Sequence, residues 1–223
     1  NNSETNLRKI VVLILFLYSS LIVAADGRVL NVGVNYFSPP FIMRSGDNVY
    51  YGFDISMMNY ICGKINRECR FYSMPFNDLL LSVEDGRVDI AVSALTITKE
   101  RAQFVRFSNP YLLSYSRFLG NIKFKDAKFT RKFFRDKTIG LKKGSVFSNE
   151  IRQLNLRKVK IKQYVRDNEM IDALSQGDVD LALMDNEKAV YWENHSAGQL
   201  KAFGPQIKYG NGYGIVVNLK DEA

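Results

Sequence analysis

Hydroxyl side chains and an arginine follow a short apolar stretch near the middle of the sequence. Residues 88–92 (VDIAV) have the composition of a buried strand, and the polar residues after it include Ser93, Thr96, Thr98 and Arg101. Hydroxyls and backbone N–H groups can donate to one oxygen of a carboxylate, and a guanidinium can bind both oxygens as a bidentate pair. A strand that ends in this way predicts a carboxylate-binding site.

The sequence contains few patterns typical of enzymes. It has no Gly-x-Ser-x-Gly elbow, no phosphate-binding loop and no cluster with metal-ligand spacing. The glycine-rich segment 210–214 precedes a predicted strand rather than a helix, which favours a turn. His195 lies among polar residues and is predicted to be a surface residue. We therefore expect no cofactor and no metal.

Length and composition limit the class of protein. The chain has 223 residues, of which 46% are hydrophobic and 24% charged. This is typical of a globular protein with one large domain or two lobes of about 100 residues each. The formal net charge is +8, but acidic residues are interspersed and no basic block of five residues occurs. We therefore do not expect nucleic acid as a partner.

The N-terminus has the pattern of a secretory signal. Arg8 and Lys9 precede an apolar run over residues 10–23, and small residues follow at 24–25. A membrane anchor is the alternative, but the run has 14 residues interrupted by Tyr18-Ser19-Ser20, short for the roughly 20 that a span needs. We expect residues 1–25 to be a cleaved signal peptide and the mature protein to be periplasmic.

Two cysteines, Cys62 and Cys69, lie close together in the sequence. In an exported protein such a pair is expected to form a disulfide. A zinc site would need two further ligands, and the only histidine is remote.

A short pattern occurs twice. Residues 86–92 (GRVDIAV) are matched 91 positions later by residues 177–183 (GDVDLAL). Each copy follows an amphipathic helical pattern and leads to a polar residue, Ser93 in the first and Asp185 beyond the second. Chance similarity of a common helix–glycine–strand unit is an alternative. The pattern favours two similar α/β lobes with parallel strands, whose ligand binds beyond the strands' C-terminal ends.

The two lobes are predicted to share a hinge. The first lobe comprises residues 26–114 plus 209–223, and the second residues 115–208. Extended segments at Ser114–Leu119 and Phe203–Tyr209 are the predicted crossings, and they allow closure about a ligand. Predicted strands are 29–34, 70–74, 88–92, 138–142, 159–165, 179–184 and 213–217. Predicted helices begin at Asp54, which is a good N-cap residue, and at Phe76, Ser145, Asn168 and Asn186.

The ordered string from Gly86 to Tyr111 resembles the central signature of the periplasmic amino-acid-binding proteins of ABC importers. The resemblance extends to Pro39-Pro40-Phe41, Gly52–Ile55, Gly140 with Gly144-Ser145, and Gly212–Ile215. It implies an α/β, two-lobe periplasmic-binding-protein type 2 fold with a hinge and an interlobe cleft. The cysteine pair lies where binding proteins for lysine, arginine, ornithine and histidine carry a disulfide.

The resemblance also implies roles for individual residues. Arg101 would hold the ligand α-carboxylate, assisted by Thr96, the backbone of Ser93 and Ala94, and Ser145 from the second lobe. Asp185 would pair with the α-ammonium group. Phe76 would form a wall for the ligand side chain. The alternatives are a solvated Arg101, an N-cap role for Asp185 and a purely core role for Phe76.

Four positions depart from the family pattern, and two of them are Lys142 and Phe147, where hydrophobic and amide residues are more usual. Ser38 replaces an aromatic residue that commonly stacks on the ligand, and the neighbouring Tyr36 and Phe37 are expected to substitute for it. Asn35 stands where some binders of basic ligands have an aspartate. Lys142 stands where an uncharged residue is more usual, and it would oppose a cationic ligand side chain unless it points away.

These observations predict a protein, expected to be monomeric, that binds an L-amino acid and delivers it to a membrane permease by lobe closure. Arginine is the first-choice ligand, because its guanidinium could lie on Phe76 and Tyr36/Phe37; glutamine is the alternative. A sensory receptor is another alternative, as is a periplasmic dehydratase on the same scaffold with Glu150 or Asp78 as acid or base. Family members continue past the last strand with closing helices, whereas this sequence ends at Ala223.

Overall fold

The computed structural model describes residues 29–221, so the predicted signal peptide lies outside the described residues. Within this range the strands are β1 (Val29–Asn35), β2 (Met43–Arg44), β3 (Tyr50–Tyr51), β4 (Glu68–Met74), β5 (Ile90–Ala91), β6 (Val105–Phe107), β7 (Tyr115–Asn121), β8 (Thr138–Lys142), β9 (Lys160–Tyr164), β10 (Leu181–Asp185), β11 (Leu200–Lys208) and β12 (Val216–Asn218). The helices are α1 (Phe53–Lys64), α2 (Leu79–Glu84), α3 (Phe147–Gln153), α4 (Asp167–Gln176) and α5 (Asn186–His195).

The first lobe is built on a five-stranded sheet with the order β4-β1-β5-β12-β6. Strand β1 is parallel to both β4 and β5, while β12 is antiparallel to β5 and β6. The core on one side of this sheet includes Val32 and Val34 from β1 and Ile55 and Met58 from α1, all buried. Hence β1 lies inside the sheet, and its C-terminal end, at Asn35, points to the edge where a ligand would bind.

The second lobe repeats this construction with a sheet of order β11-β7-β10-β8-β9. Here β8 is parallel to β9 and β10, and β7 is antiparallel to β10 and β11. Buried residues of its core include Phe118, Leu141, Leu174 and Leu183. The α/β organisation predicted from the sequence is therefore present in both lobes.

The repeated pattern has the same structural role in each lobe. Asp89 donates its N–H to the carbonyl of Asn31 at 3.0 Å, and its carboxylate accepts the N–H of Asn31 at 2.7 Å. Asp180 exchanges the same two bonds with Thr138, each at 2.9 Å. Each aspartate thus fixes the strand that it precedes beside a parallel neighbour, β1 in the first lobe and β8 in the second, which explains why the pattern occurs twice.

The two chain passages between the lobes are shorter than predicted. The segments proposed as crossings are mostly regular strands, β7 and β11, because an extended sequence pattern does not distinguish a hinge from a sheet strand. Ser114 joins the passages: its hydroxyl donates to the carbonyl of Tyr209 and accepts the N–H of Gly212 at 3.0 Å. The exact lobe boundaries, 114/115 and 208/209, stay a prediction.

Cys62 at the end of α1 is bonded to Cys69 in β4. The bridge ties the helix to the strand that follows it, as the sequence predicted. No helix within residues 29–221 is long and apolar enough to cross a membrane.

Candidate functional site

A small cavity of about 10 Å³ lies between the two lobes. Its lining residues are Phe76, Ala94, Thr96, Arg101, Lys142, Ser145, Val146, Phe147, Asp185 and Lys188. The first four belong to the first lobe and the others to the second. Seven of the twelve ligand-binding residues predicted from the sequence are in this set. A cavity of this volume holds about one water molecule, so the lobes must separate before an amino acid can enter.

Arg101 connects the two lobes across this cavity. It begins a short 3₁₀ turn (Arg101–Gln103) after the polar end of the 88–92 segment. Its guanidinium donates to the carbonyl of Thr96 at 2.9 Å and to the carbonyl of Gly144, in the second lobe, at 3.1 Å. Burial lowers the pKa of Arg101 to about 10, so the side chain remains a cation at neutral pH.

The backbone that precedes Arg101 is held by a buried carboxylate. Ala94 has a φ of 46°, in the left-handed region, and its N–H donates to Asp54 at 2.8 Å. Asp54 is the residue predicted to cap α1, but α1 begins at Phe53 and the Asp54 side chain makes no cap bond. The tertiary contact with Ala94 takes its place. Burial raises the pKa of Asp54 to about 6.

Asp185 ends β10 and occupies the N-cap position of α5, although its side chain does not bond to the helix backbone. One carboxylate oxygen lies 3.0 Å from Nζ of Lys188, and the other accepts the hydroxyl of Tyr213 at 3.0 Å. Tyr213 belongs to the segment that returns to the first lobe. Asp185 is therefore buried and bonded from both lobes.

Lys142 does not point away from the cavity. It is buried, and its Nζ lies 2.7 Å from Oδ1 of Asp167. The neighbouring Ser145 donates its hydroxyl to the carbonyl of Lys142 at 2.7 Å. Burial lowers the pKa of Lys142. The ion pair with Asp167 explains how a lysine is accommodated where the family pattern has an uncharged residue.

The other five predicted residues do not line the cavity. Tyr36 and Phe37 contact the second lobe instead: the Arg166 guanidinium lies 4.6 Å from the ring centre of Tyr36, and Phe37 packs edge-on against Trp192. The remaining three are buried nearby, namely Asn35, Ser38 and Ser93. In this conformation both rings make interlobe contacts, and stacking of Tyr36 or Phe37 on the ligand in place of Ser38 stays a prediction.

Neither acid considered for a dehydratase lines the cavity, within the part of the chain that the structure describes. Glu150 is buried on α3, accepts the hydroxyl of Ser116, and has its pKa raised by burial to about 7. Asp78 accepts the side-chain amide of Asn77 at 2.6 Å in an exposed turn. Residues 29–221 also contain no group of three or more His, Cys, Asp or Glu side chains that could hold a metal.

Two charged residues at the site, Lys188 and Asp167, are not among the residues predicted from the sequence. Lys188 is three positions after Asp185, and this spacing on a helix start is a local signal that could have indicated an ion pair. Asp167 had no such signal. It is the first residue of α4, and only the packing of α4 brings its carboxylate to Lys142 and Lys188.

Comparison with known proteins gives a consistent answer. The model of the family described as bacterial extracellular solute-binding proteins, family 3, matches residues 30–132. An arginine 3rd transport system periplasmic binding protein from Legionella pneumophila has 31% sequence identity and a TM-score of 0.79, with 86% of each chain covered. This chain belongs to family 3 of the bacterial extracellular solute-binding proteins.

Two further family 3 relatives cover most of the chain. The arginine-binding periplasmic protein of Mannheimia haemolytica is 29% identical over 188 residues, 82% of this chain and 76% of that protein. An ancestral arginine-binding protein, solved with arginine and with glutamine, has 26% identity and a TM-score of 0.79 over 86% of this chain and 85% of its own. The predicted two-lobe, type 2 binding-protein fold is confirmed.

Proposed function

We propose that this protein binds an L-amino acid between its lobes in the periplasm and delivers it to the membrane permease of an ABC importer. The observation that carries the proposal is the placement of Arg101 and Asp185, one from each lobe, on the wall of one interlobe cavity. A cation and an anion on opposite walls match the two ends of a zwitterion. The names of the relatives make arginine the first ligand to test and glutamine the second.

Arg101 is the proposed partner of the ligand α-carboxylate. Thr96 lines the cavity beside it and offers a hydroxyl. Ser145 also lines the cavity, and its hydroxyl would exchange its bond to the carbonyl of Lys142 for one to the ligand. Charge-assisted and bidentate hydrogen bonds of this kind are the strong ones in proteins, and they are stronger still in a site closed to water.

Asp185 is the proposed partner of the ligand α-ammonium group. It is buried and already accepts Lys188 and Tyr213, so the ligand must share or replace one of these contacts. Since Arg101 and Asp185 are contributed by different lobes, only a closed, liganded form completes both sets of bonds. Binding energy is thereby coupled to closure.

The proposal extends to the role of the protein in the cell. The named relatives are binding proteins rather than enzymes, and we propose the same for this chain, acting as a monomer. Closure around the ligand would give the permease a single surface to recognise.

Isothermal titration calorimetry with a panel of L-amino acids tests the proposal. Wild-type protein should bind at least one of them, and Arg101→Met should weaken binding by about 30-fold or more, because it removes one partner of a buried charge pair. Arg87→Met removes the same charge from an exposed site on the first lobe that pairs with Asp85 and should leave affinity unchanged. A folded wild-type protein that binds no amino acid would refute the proposed function.

A further inference from the structure

Two lysines and two aspartates form a buried network at the second-lobe wall of the cavity. Lys142 Nζ lies 2.7 Å from Asp167 Oδ1, and Lys188 Nζ lies 3.0 Å from Asp185 Oδ2 and 3.7 Å from Asp167 Oδ2. All four side chains are at most 7% exposed. We propose that Lys142 and Lys188 determine the charge class of the ligand: they disfavour a positively charged side chain and select an amino acid with a neutral polar side chain. This inference rests on the proposed amino-acid-binding function.

The side chains that line the cavity carry more positive than negative charge. Three cations line the cavity, namely Arg101, Lys142 and Lys188, and Asp185 is its one lining carboxylate among the residues described. Arg101 and Asp185 are needed for the two ends of the zwitterion. A second positive charge on the ligand would enter a space that already contains two ammonium groups, and like charges at an interface are strongly unfavourable.

Asp167 is an additional carboxylate beside the lysines of the cavity wall. It could in principle pair with a guanidinium, but its oxygens are already bonded to Lys142 and Lys188, and one also accepts the hydroxyl of Ser38 at 3.3 Å. Burial alone would raise the pKa of Asp167, but Lys188 and Lys142 outweigh it and lower that pKa. The carboxylate is thus ionised and committed to the two lysines.

Carboxylates on neighbouring elements add no further negative charge to the lining of the cavity. Asp54 lies on α1, fully buried, and one of its carboxylate oxygens accepts the N–H of Ala94. Glu187, next to Lys188 on α5, lies 3.3 Å from the hydroxyl of Tyr213. Neither lines the cavity, within the described part of the chain.

The network of buried ion pairs is not expected to stabilise the fold. Replacing a buried ion pair by apolar residues of similar size is often neutral or stabilising, because each charge loses its hydration. Two such lysines on the wall of the interlobe cavity are therefore better explained by what they do to the ligand than by what they add to folding. Lys188, 6.0 Å from the ring centre of Phe76, lies near the aromatic wall that a ligand guanidinium was expected to use.

The test compares arginine with citrulline, which has the same shape but a neutral ureido group in place of the guanidinium. The measured quantity is the ratio of the citrulline Kd to the arginine Kd, obtained by calorimetry. Wild type should bind citrulline at least as tightly as arginine. Lys142→Met frees Asp167 to pair with a guanidinium, so the ratio should rise by about tenfold or more in favour of arginine.

Matched variants control the comparison. Lys143→Met removes the same charge from the exposed neighbouring position and should leave the ratio unchanged. The double variant Lys142→Met/Asp167→Asn removes both charges of the pair, so its ratio should return close to that of wild type. The double variant also leaves no buried charge of this pair unmatched, which keeps the experiment informative if the single variant does not fold.

The outcomes are distinct. Wild-type protein that binds arginine about tenfold more tightly than citrulline overturns the inference, as does a folded Lys142→Met whose ratio equals that of wild type. Each of these results leaves amino-acid binding itself intact. Protein that binds none of the amino acids of the panel contradicts the proposed function instead.

Discussion

Replacing Asp54 by asparagine should make the protein more stable at neutral pH and leave its stability unchanged in acid. Asp54 is fully buried beneath the site, and one oxygen accepts the N–H of Ala94. An asparagine can keep that bond through its carbonyl oxygen. The substitution therefore removes a buried negative charge with little change in shape.

The magnitude follows from the pKa. Burial raises the pKa of Asp54 from 3.8 to about 6, so between these values the folded state binds more protons than the unfolded state, and stability falls as pH rises. A shift of this size corresponds to about 3 kcal/mol. The penalty is absent below pH 3.8 and complete above about pH 6.

Urea unfolding at a series of pH values measures this difference. Asp54→Asn should match wild type near pH 4 and exceed it by about 2–3 kcal/mol at pH 8. Asp47→Asn, a change at an exposed loop aspartate, should show no such trend. If Asp54→Asn is instead less stable than wild type at pH 8, the attraction between Asp54 and Lys188 outweighs burial and the reasoning is wrong.

Two further predictions concern the disulfide and lobe closure. Cys62→Ala/Cys69→Ala should lower the free energy of unfolding by about 2 kcal/mol, the loop entropy expected for a separation of 7 residues; urea unfolding measures it, and reduced wild type should lose a similar amount. Gly144→Ala should weaken ligand binding by about tenfold or more in calorimetry, because its φ is +78° and a Cβ would lie 2.6 Å from Asn77 of the facing lobe. Gly177→Ala has a comparable φ of +86° but open space around it, so an equal loss of affinity there would contradict a closure effect.

Local signals in the sequence were sufficient for the framework. Each glycine–aspartate repeat marks a strand that pairs with a parallel neighbour, β1 or β8. The local pattern is sufficient to locate the strand, although the aspartate's bonds join residues 58 and 42 positions apart. The polar string that ends at Arg101 follows the first copy directly. Its position at a strand end was therefore predictable, and so was its side of the sheet.

One prediction, the cap of α1, was wrong because a tertiary contact overrides a local rule, and the contacts of Tyr36 and Phe37 could not be predicted from local patterns. An aspartate before an apolar helical stripe is a good N-cap candidate, but Asp54 bonds to Ala94, 40 positions away. Tyr36 and Phe37 were expected on the ligand because they are next to Ser38. Their rings face Arg166 and Trp192 of the other lobe, contacts that no pattern within either segment indicates.

The donor count of Arg101 shows how closure and recognition can depend on one side chain. A guanidinium has five N–H donors in a fixed planar fork. Thr96 takes one, and Gly144 of the second lobe takes another, so three remain for a ligand carboxylate. A lysine, with three donors on one atom, could not hold the first-lobe strand end, the second-lobe turn and two carboxylate oxygens together. The bond to Gly144 is made only when the lobes are close, and a bound carboxylate would orient the guanidinium for it. An arginine at this position therefore allows the ligand to contribute directly to closure, rather than only to fill the cavity.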